Sequence, residues 1–273
     1  MTFSIVARSD DGESWGVAVA SKFLAVGSVV PAAVAQVGAL ATQALANVAY
    51  KGLALSHLDE GATAEIALQR LLEEDDGRDH RQVGLVDVDG GSASHTGAAC
   101  VHWAGGTLGP GYAIQGNCLV GSAVVEAMET AWLAGEHLRF ADRLLAALAA
   151  GGAAGGDLRG RQSAALMVVQ DGAGYDGGDD VAVDLRVDDH ATPIDELGRL
   201  LDLHALYLVA STDAEKVAVD DALASELERF AREQGHPDFR TWVGMENYEM
   251  RVADDLEWID ERVLAIVRDD HPA

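Results

Sequence analysis

The feature that most limits what this chain can become lies at its amino terminus. Two short β-prone runs, Thr2-Phe3-Ser4-Ile5-Val6-Ala7-Arg8 and Trp15 to Lys22, flank the turn-forming stretch Ser9-Asp10-Asp11-Gly12-Glu13-Ser14. The spacing predicts a hairpin whose first strand begins at Thr2, so the start of the chain is built into a sheet. No run of about eighteen uncharged apolar residues follows, and Arg8 comes too early for the apolar stretch of a signal peptide. A soluble, cytoplasmic protein with no membrane partner is the expectation.

The remaining pattern supplies more strands and several helices. Val37 to Ala44 is a third strand-like run, reached through a link punctuated by Gly27 and Pro31. Ala64 to Glu74 sets Ile66, Leu68, Leu71 and Leu72 on one helical face, with Thr63 as its cap. Val83 to Gly91 reads as a strand entering a tight turn and Ser92 to Cys100 as its return. Leu119 to about Leu148 is helical in pattern with a break near Gly135, and Gly160 to Gln170 and Val181 to Val187 are further strands. Thr192-Pro193 opens a helix through about Val209, proline suiting the first turn. Strands, helix, strands, helices, strands is α+β layering, not a βαβ repeat. Residues 1–211 are expected to form this domain. Residues 212–273 are read as a helical carboxy-terminal extension, Asp213 to Gln234 and Met250 to Val267 flanking a segment that carries Trp242.

Charge narrows the partners. Only Lys22, Lys51 and Lys216 are lysines, and 19 basic residues face 45 acidic ones for a formal net charge of -26. Such a surface repels phosphate backbones and anionic membranes, so nucleic acid is not an expected partner. A carboxylate-rich, lysine-poor surface also keeps its water where salt screens charge, which points to a salt-loving, archaeal host. Cys100 and Cys118 lack metal-type spacing and are read as small hydrophobes, not a disulfide. An apolar, Ala-rich helix set and an exposed Trp242 or Trp258 are expected to make a homodimer contact.

Four places could carry chemistry. A threonine hydroxyl is a weak nucleophile, but initiator methionine is trimmed before small residues, and trimming would give Thr2 an α-amine of pKa about 8 as its own base. The plainer reading is a strand-edge threonine. Where the second strand ends, Ser21 and Lys22 point opposite ways, so one at most can face Thr2, and Ser21 is preferred. Gly111 to Asn117 precedes an expected helix; Asn117 would either cap it or, with Gln115, steady an oxyanion. The stretch Gly155-Gly156-Asp157-Leu158-Arg159-Gly160-Arg161-Gln162-Ser163 could grip a substrate carboxylate or form a turn locked by an Asp157–Arg159 pair. Finally, His190 beside Asp188, together with His95, suggests a metal-dependent alternative, against a plain solvated acidic loop.

These stretches resemble a bacterial and archaeal family catalogued as domain of unknown function 1028, grouped with amino-terminal-nucleophile hydrolase-like folds. The likeness runs through Thr2 to Arg8, Ala41-Thr42-Gln43, Arg81-Gln82-Val83, His95-Thr96-Gly97, Gln115-Gly116-Asn117, Gly155 to Ala165 and Asp184 to His190. It implies a four-layer αββα sandwich but no particular substrate; the leading expectation is a hydrolase that cleaves a carbon–nitrogen bond in a small amide or peptide-like substrate, with no cofactor. Thr2 would attack, Ser21 and Thr42 would orient the amine, and Asn117 or Gln115 would stabilise the oxyanion. Gln43, Asp157, Arg159, Ser163 and His190 would contact substrate. Proteasome-like enzymes carry a lysine on the third strand; Thr42-Gln43 stands there in this chain. The rival expectation is a non-catalytic ligand-binding or assembly protein on the same fold, of the kind labelled fimbrial assembly.

Overall fold

A computed structural model describes residues 2–269, and the chain divides into two compact units, Met1–Leu200 and Leu201–Ala273. The first opens with the expected hairpin, β1 (Thr2–Arg8) and β2 (Ser14–Ser21). A short α1 (Val26–Val29) and β3 (Pro31–Val34) lead to β4 (Gly38–Ala44), and α2 (Ala49–Asp59) and α3 (Ala64–Glu73) follow. The Thr63 hydroxyl accepts from the Ile66 N–H, so the expected cap is in place. The next hairpins are β5 (Arg81–Asp87) with β6 (Ser92–Thr96), and β7 (Trp103–Gly109) with β8 (Tyr112–Leu119). Then come α4 (Ala123–Ala134), α5 (Phe140–Ala153), β9 (Ser163–Gln170), β10 (Val181–Val187) and α6 (Pro193–Leu208), within which the division falls.

The expectation of a helix from Leu119 is corrected. Asn117 caps nothing: it lies inside β8, paired on both sides, and α4 starts after Gly121 and Ser122. The expected break is real, with Gly135 closing α4.

All strands of the first unit pair antiparallel in two sheets, ordered β10-β9-β2-β1-β8-β7 and β3-β4-β5-β6. Strand side chains alternate between faces, and the burial pattern assigns each face. Val6, Trp15, Val17, Val19 and Val169 from the large sheet share one core with Ala39, Ala41 and Val86 from the small one, so these faces meet. On the other side of the small sheet, Leu40, Val83 and Leu85 pack with Tyr50, Leu58, Leu68 and Leu71 of α2 and α3. The opposite face of the large sheet is covered by α4 and α5: a Cβ on Gly16 would meet Leu144, and one on Gly151 would meet Phe3.

The second unit has its own core of Leu227, Phe230, Phe239, Trp242, Ile259 and Val263. It contains β11 (Lys216–Ala218), α7 (Asp221–Glu233), α8 (Phe239–Glu246), β12 (Trp258–Asp260) and α9 (Glu261–Asp269). The helix expected from Asp213 begins only at Asp221, because Lys216–Ala218 pairs with Trp258–Asp260 instead, and that same pairing delays the last helix. Trp242 is buried against Phe230 and Phe239, and Trp258 is half-buried under the Lys216 ammonium. Of the two tryptophans expected to be exposed at a dimer contact, Trp242 is therefore core and Trp258 is half-buried. Arg251 is buried: it pairs with Asp260 at 2.7 Å and donates to the carbonyls of Ala205 and Leu206 in the last turn of α6. A buried ion pair so completely hydrogen-bonded avoids the cost of an unpaired buried charge.

Candidate functional site

Register across the large sheet builds a polar row at one end of its strands. Thr2 lies opposite Ser21 on β2 and Asn117 on β8, and Ser21 lies opposite Ser163 on β9. The central position of β1 buries this end; Thr2 is 5% exposed. The Thr2 and Ser21 hydroxyls are 3.1 Å apart. Among the described residues no Lys, His, Asp or Glu side chain bonds the Thr2 hydroxyl. A nucleophile here would have to find its base elsewhere.

Behind the row, four buried amides fill the space between the sheets. Gln43 from β4 and Gln82 from β5 face Gln115 and Asn117 from β8, all buried. Gln82 Oε1 accepts from Gln43 Nε2 and Asn117 Nδ2, both at 2.8 Å, while Gln82 Nε2 donates to the Gly116 carbonyl and the Thr96 hydroxyl. The Ser4 hydroxyl donates to Gln43 Oε1 and accepts from Gln115 Nε2, each at 2.7 Å. The same two outer amides hold the Thr2 carbonyl, Gln43 at 3.3 Å and Asn117 at 3.4 Å. Buried amides unmade are costly, so these bonds fix where Thr2 sits. Among the described residues Gln115 Oε1 has no hydrogen-bond partner; it occupies the space left by Gly84, where a Cβ would stand 2.0 Å from it.

The residues singled out from sequence divide into two groups. Thr2, Ser21, Gln43, Gln115, Asn117 and Ser163 are gathered at the row or the amides behind it. Thr42 turns the other way: its hydroxyl donates to the Asn47 carbonyl at 3.3 Å, and alternation on β4 gives the position facing Thr2 to Gln43. Asp157 accepts from the Lys22 N–H at 2.8 Å and pairs with Arg159 at 3.0 Å, the locked-turn arrangement. The Ser163 hydroxyl donates to the Phe23 carbonyl and accepts from the Val26 N–H, holding the loop after β2. His190 is exposed and accepts from the Thr192 N–H, and His95 bonds the Arg78 carbonyl. Among the described residues no group of three or more His, Cys, Asp or Glu side chains is gathered as a metal site. Sequence reading missed Gln82 and Ser4. The available signal was alternation: glutamines interrupt otherwise apolar strands at positions whose neighbours two residues away face the core.

The row is flanked by a cavity at each end. Beyond Asn117, about 250 Å³ is lined by Ala44, Leu45, His80, Val101 and both cysteines. Burial raises both thiols above the usual cysteine range, so they stay protonated near neutrality. Its far side is held by Arg81, which donates to the Leu45 carbonyl at 2.6 Å and pairs with Asp75 at 2.8 Å. The Arg81 hydrogen bond, aided by those from Tyr50 and the Gly77 N–H, keeps Asp75 far below the ordinary carboxylate range despite its burial. At the other end a narrow cavity of about 20 Å³ is lined by Phe3, Ser21, Gly156, Asp157 and Arg161.

Comparison with known proteins adds three findings. Residues 2–197 match the family described as "Family of unknown function (DUF1028)", and residues 215–267 match one described as "Putative peptidoglycan binding domain". A protein of Silicibacter pomeroyi of known crystal structure, described with the same DUF1028 family, is 31% identical with a TM-score of 0.68; the match covers 78% of this chain and 90% of that one. No curated protein matches.

Proposed function

We propose that this chain, which belongs to the DUF1028 family of unknown function, is an amidohydrolase of the amino-terminal-nucleophile type built on a four-layer αββα sandwich. The observation that carries this reading is the burial of Thr2 at the end of a central strand, hydroxyl beside Ser21 and carbonyl held by Gln43 and Asn117. After removal of Met1, the Thr2 α-amine takes the hydroxyl proton as the oxygen attacks the substrate carbonyl. The amine returns that proton to the departing nitrogen, and water then hydrolyses the Thr2 ester. Ser21 orients the hydroxyl. Gln43 occupies the strand position facing Thr2 where proteasome-like enzymes carry lysine, so the amine is tuned by neutral amides and its pKa is lowered less than a buried cation would lower it.

Two measurements test this. Intact mass of protein from its native host should lack Met1, and retained Met1 in all molecules overturns the mechanism. A panel of acyl p-nitroanilides should be cleaved by the native protein and by Thr2→Ser but not by Thr2→Ala; full activity in Thr2→Ala moves the chemistry elsewhere.

A second reading has its own observation, the match of residues 215–267 to a peptidoglycan-binding description. On it the protein is a non-catalytic binding or assembly unit whose second unit holds a glycan-peptide polymer. The full chain should then sediment with purified peptidoglycan, and failure to do so removes the reading. The charge of -26 supports a haloarchaeal, cytoplasmic setting, tested by whether the unfolding midpoint rises between dilute and molar potassium chloride. A homodimer remains part of the proposal and is read directly by sedimentation equilibrium.

A further inference from the structure

In a chain with 45 acidic and 19 basic residues, arginines are expected to be claimed by carboxylates or carbonyls. Fifteen of the 16 are engaged by a hydrogen bond, an ion pair or an aromatic ring within the described residues, from Arg8 over Trp15 to Arg268 on Glu226. Arg161 is the exception. It lies on the loop between α5 and β9, directly after Gly160, whose φ of 113° suits glycine alone. Its neighbour Arg159 is committed to Asp157.

Arg161 also stands where two cavities meet. One is the narrow space that reaches Ser21, whose hydroxyl touches that of Thr2. The other, about 150 Å³, is lined by Ala149, Ala153, Thr192 and Asp195 and shares Gly152, Arg161, Pro193 and Ile194 with the first. Asp195 forms no ion pair with Arg161. A guanidinium left open on a cavity wall offers a planar pair of donors matched to a carboxylate, the group for which Arg is better suited than Lys.

We propose that Arg161 binds a carboxylate of the substrate in the larger cavity, making the preferred substrate an amide whose acyl part carries a free acid at its far end. This rests on the hydrolase reading for the direction of the substrate, with its acid held at Arg161 and its carbonyl entering the narrow space toward Ser21 and Thr2. The carboxylate-binding role passes from Arg159, engaged in its turn, to Arg161.

The test separates binding from cleavage. Glutarate titrated calorimetrically into the native protein should bind, with affinity about tenfold or more weaker in Arg161→Gln and unchanged in Thr2→Ala and in the control Arg186→Gln. Because the Arg161 side chain bonds nothing among the described residues, Arg161→Gln should keep the native melting temperature. Glutaryl-p-nitroanilide should be cleaved with a kcat/KM about tenfold or more above that of its uncharged methyl ester, and Arg161→Gln should erase the preference. Glutarate binding that is absent, or equal in Arg161→Gln, overturns the proposal whatever the anilides do. Arg161-dependent binding with no cleavage of either anilide leaves the subsite standing and counts against the hydrolase reading alone.

Discussion

The space between the two sheets of the first unit is built in two ways. Beneath β2 and β9 it is apolar, with Trp15, Val17, Val19 and Val169 facing Ala39, Ala41 and Val86. Beneath the Thr2 end of β1 and β8 the same alternation delivers Ser4, Gln43, Gln82, Gln115 and Asn117. Apolar contact is non-directional and holds the sheets together without naming a register. Hydrogen bonds between amides are directional, and a slip of one residue would leave several of them buried and unmade. One region supplies cohesion and the other fixes position to within a hydrogen-bond length, at the Thr2 end of β1.

The sharpest way to break this contrast is to damage each region and compare stability with activity. Trp15→Ala in the apolar region should cost roughly 3–5 kcal/mol, read by urea denaturation, while any protein still folded keeps its kcat on a cleavable anilide. Gln82→Ala should cost less, roughly 2–4 kcal/mol, since it strips partners from Gln43 and Asn117. Its kcat should nonetheless fall by more than that of Trp15→Ala, because both donors to the Thr2 carbonyl lose their anchor. Equal loss of kcat in the two variants would erase the distinction. Gly84→Ala drives a methyl into Gln115 Oε1 and should destabilise by about 1–3 kcal/mol; Gly84→Ala combined with Gln115→Ala should recover part of it.

The smallest effect concerns acid. Asp75 titrates below its unfolded range, so the stability it contributes is present above pH of about 4 and is lost as pH falls below that value. Native protein should therefore lose urea resistance as pH falls from about 4 towards 2, and Arg81→Met should flatten that loss. An unchanged slope would remove the Asp75–Arg81 pair from the account of how the Leu45 wall is held.

Much of the fold could be read from residue order because its strong signals are local. The Ser9–Ser14 turn, the Thr63 cap and the Gly135 stop each act within a few residues. Helix α2 escaped because its buried stripe, Tyr50, Ala54 and Leu58, has one side chain per turn and Gly52 within it. Strand β7, Trp103–Gly109, escaped because glycines occupy it where β-branched residues would announce a strand. For the site, Thr2 and Ser21 were legible through hairpin register, a short-range property. The choice of Gln43 over Thr42, and the part played by Gln82, depend on how one sheet lies on the other, which no single strand encodes.

The central place of β1 also sets a clock. Thr2 is made 115 residues before its partner Asn117. At synthesis rates of about 5–20 residues per second, the strand waits on the order of ten seconds before β8 exists to close over it. On the proposed mechanism an aminopeptidase must reach Met1 within that interval, because the finished sheet leaves Thr2 only 5% exposed. Refolded full-length protein that still carries Met1 would then be permanently inert, and the fraction of active molecules would record how the race between trimming and closure was run during synthesis.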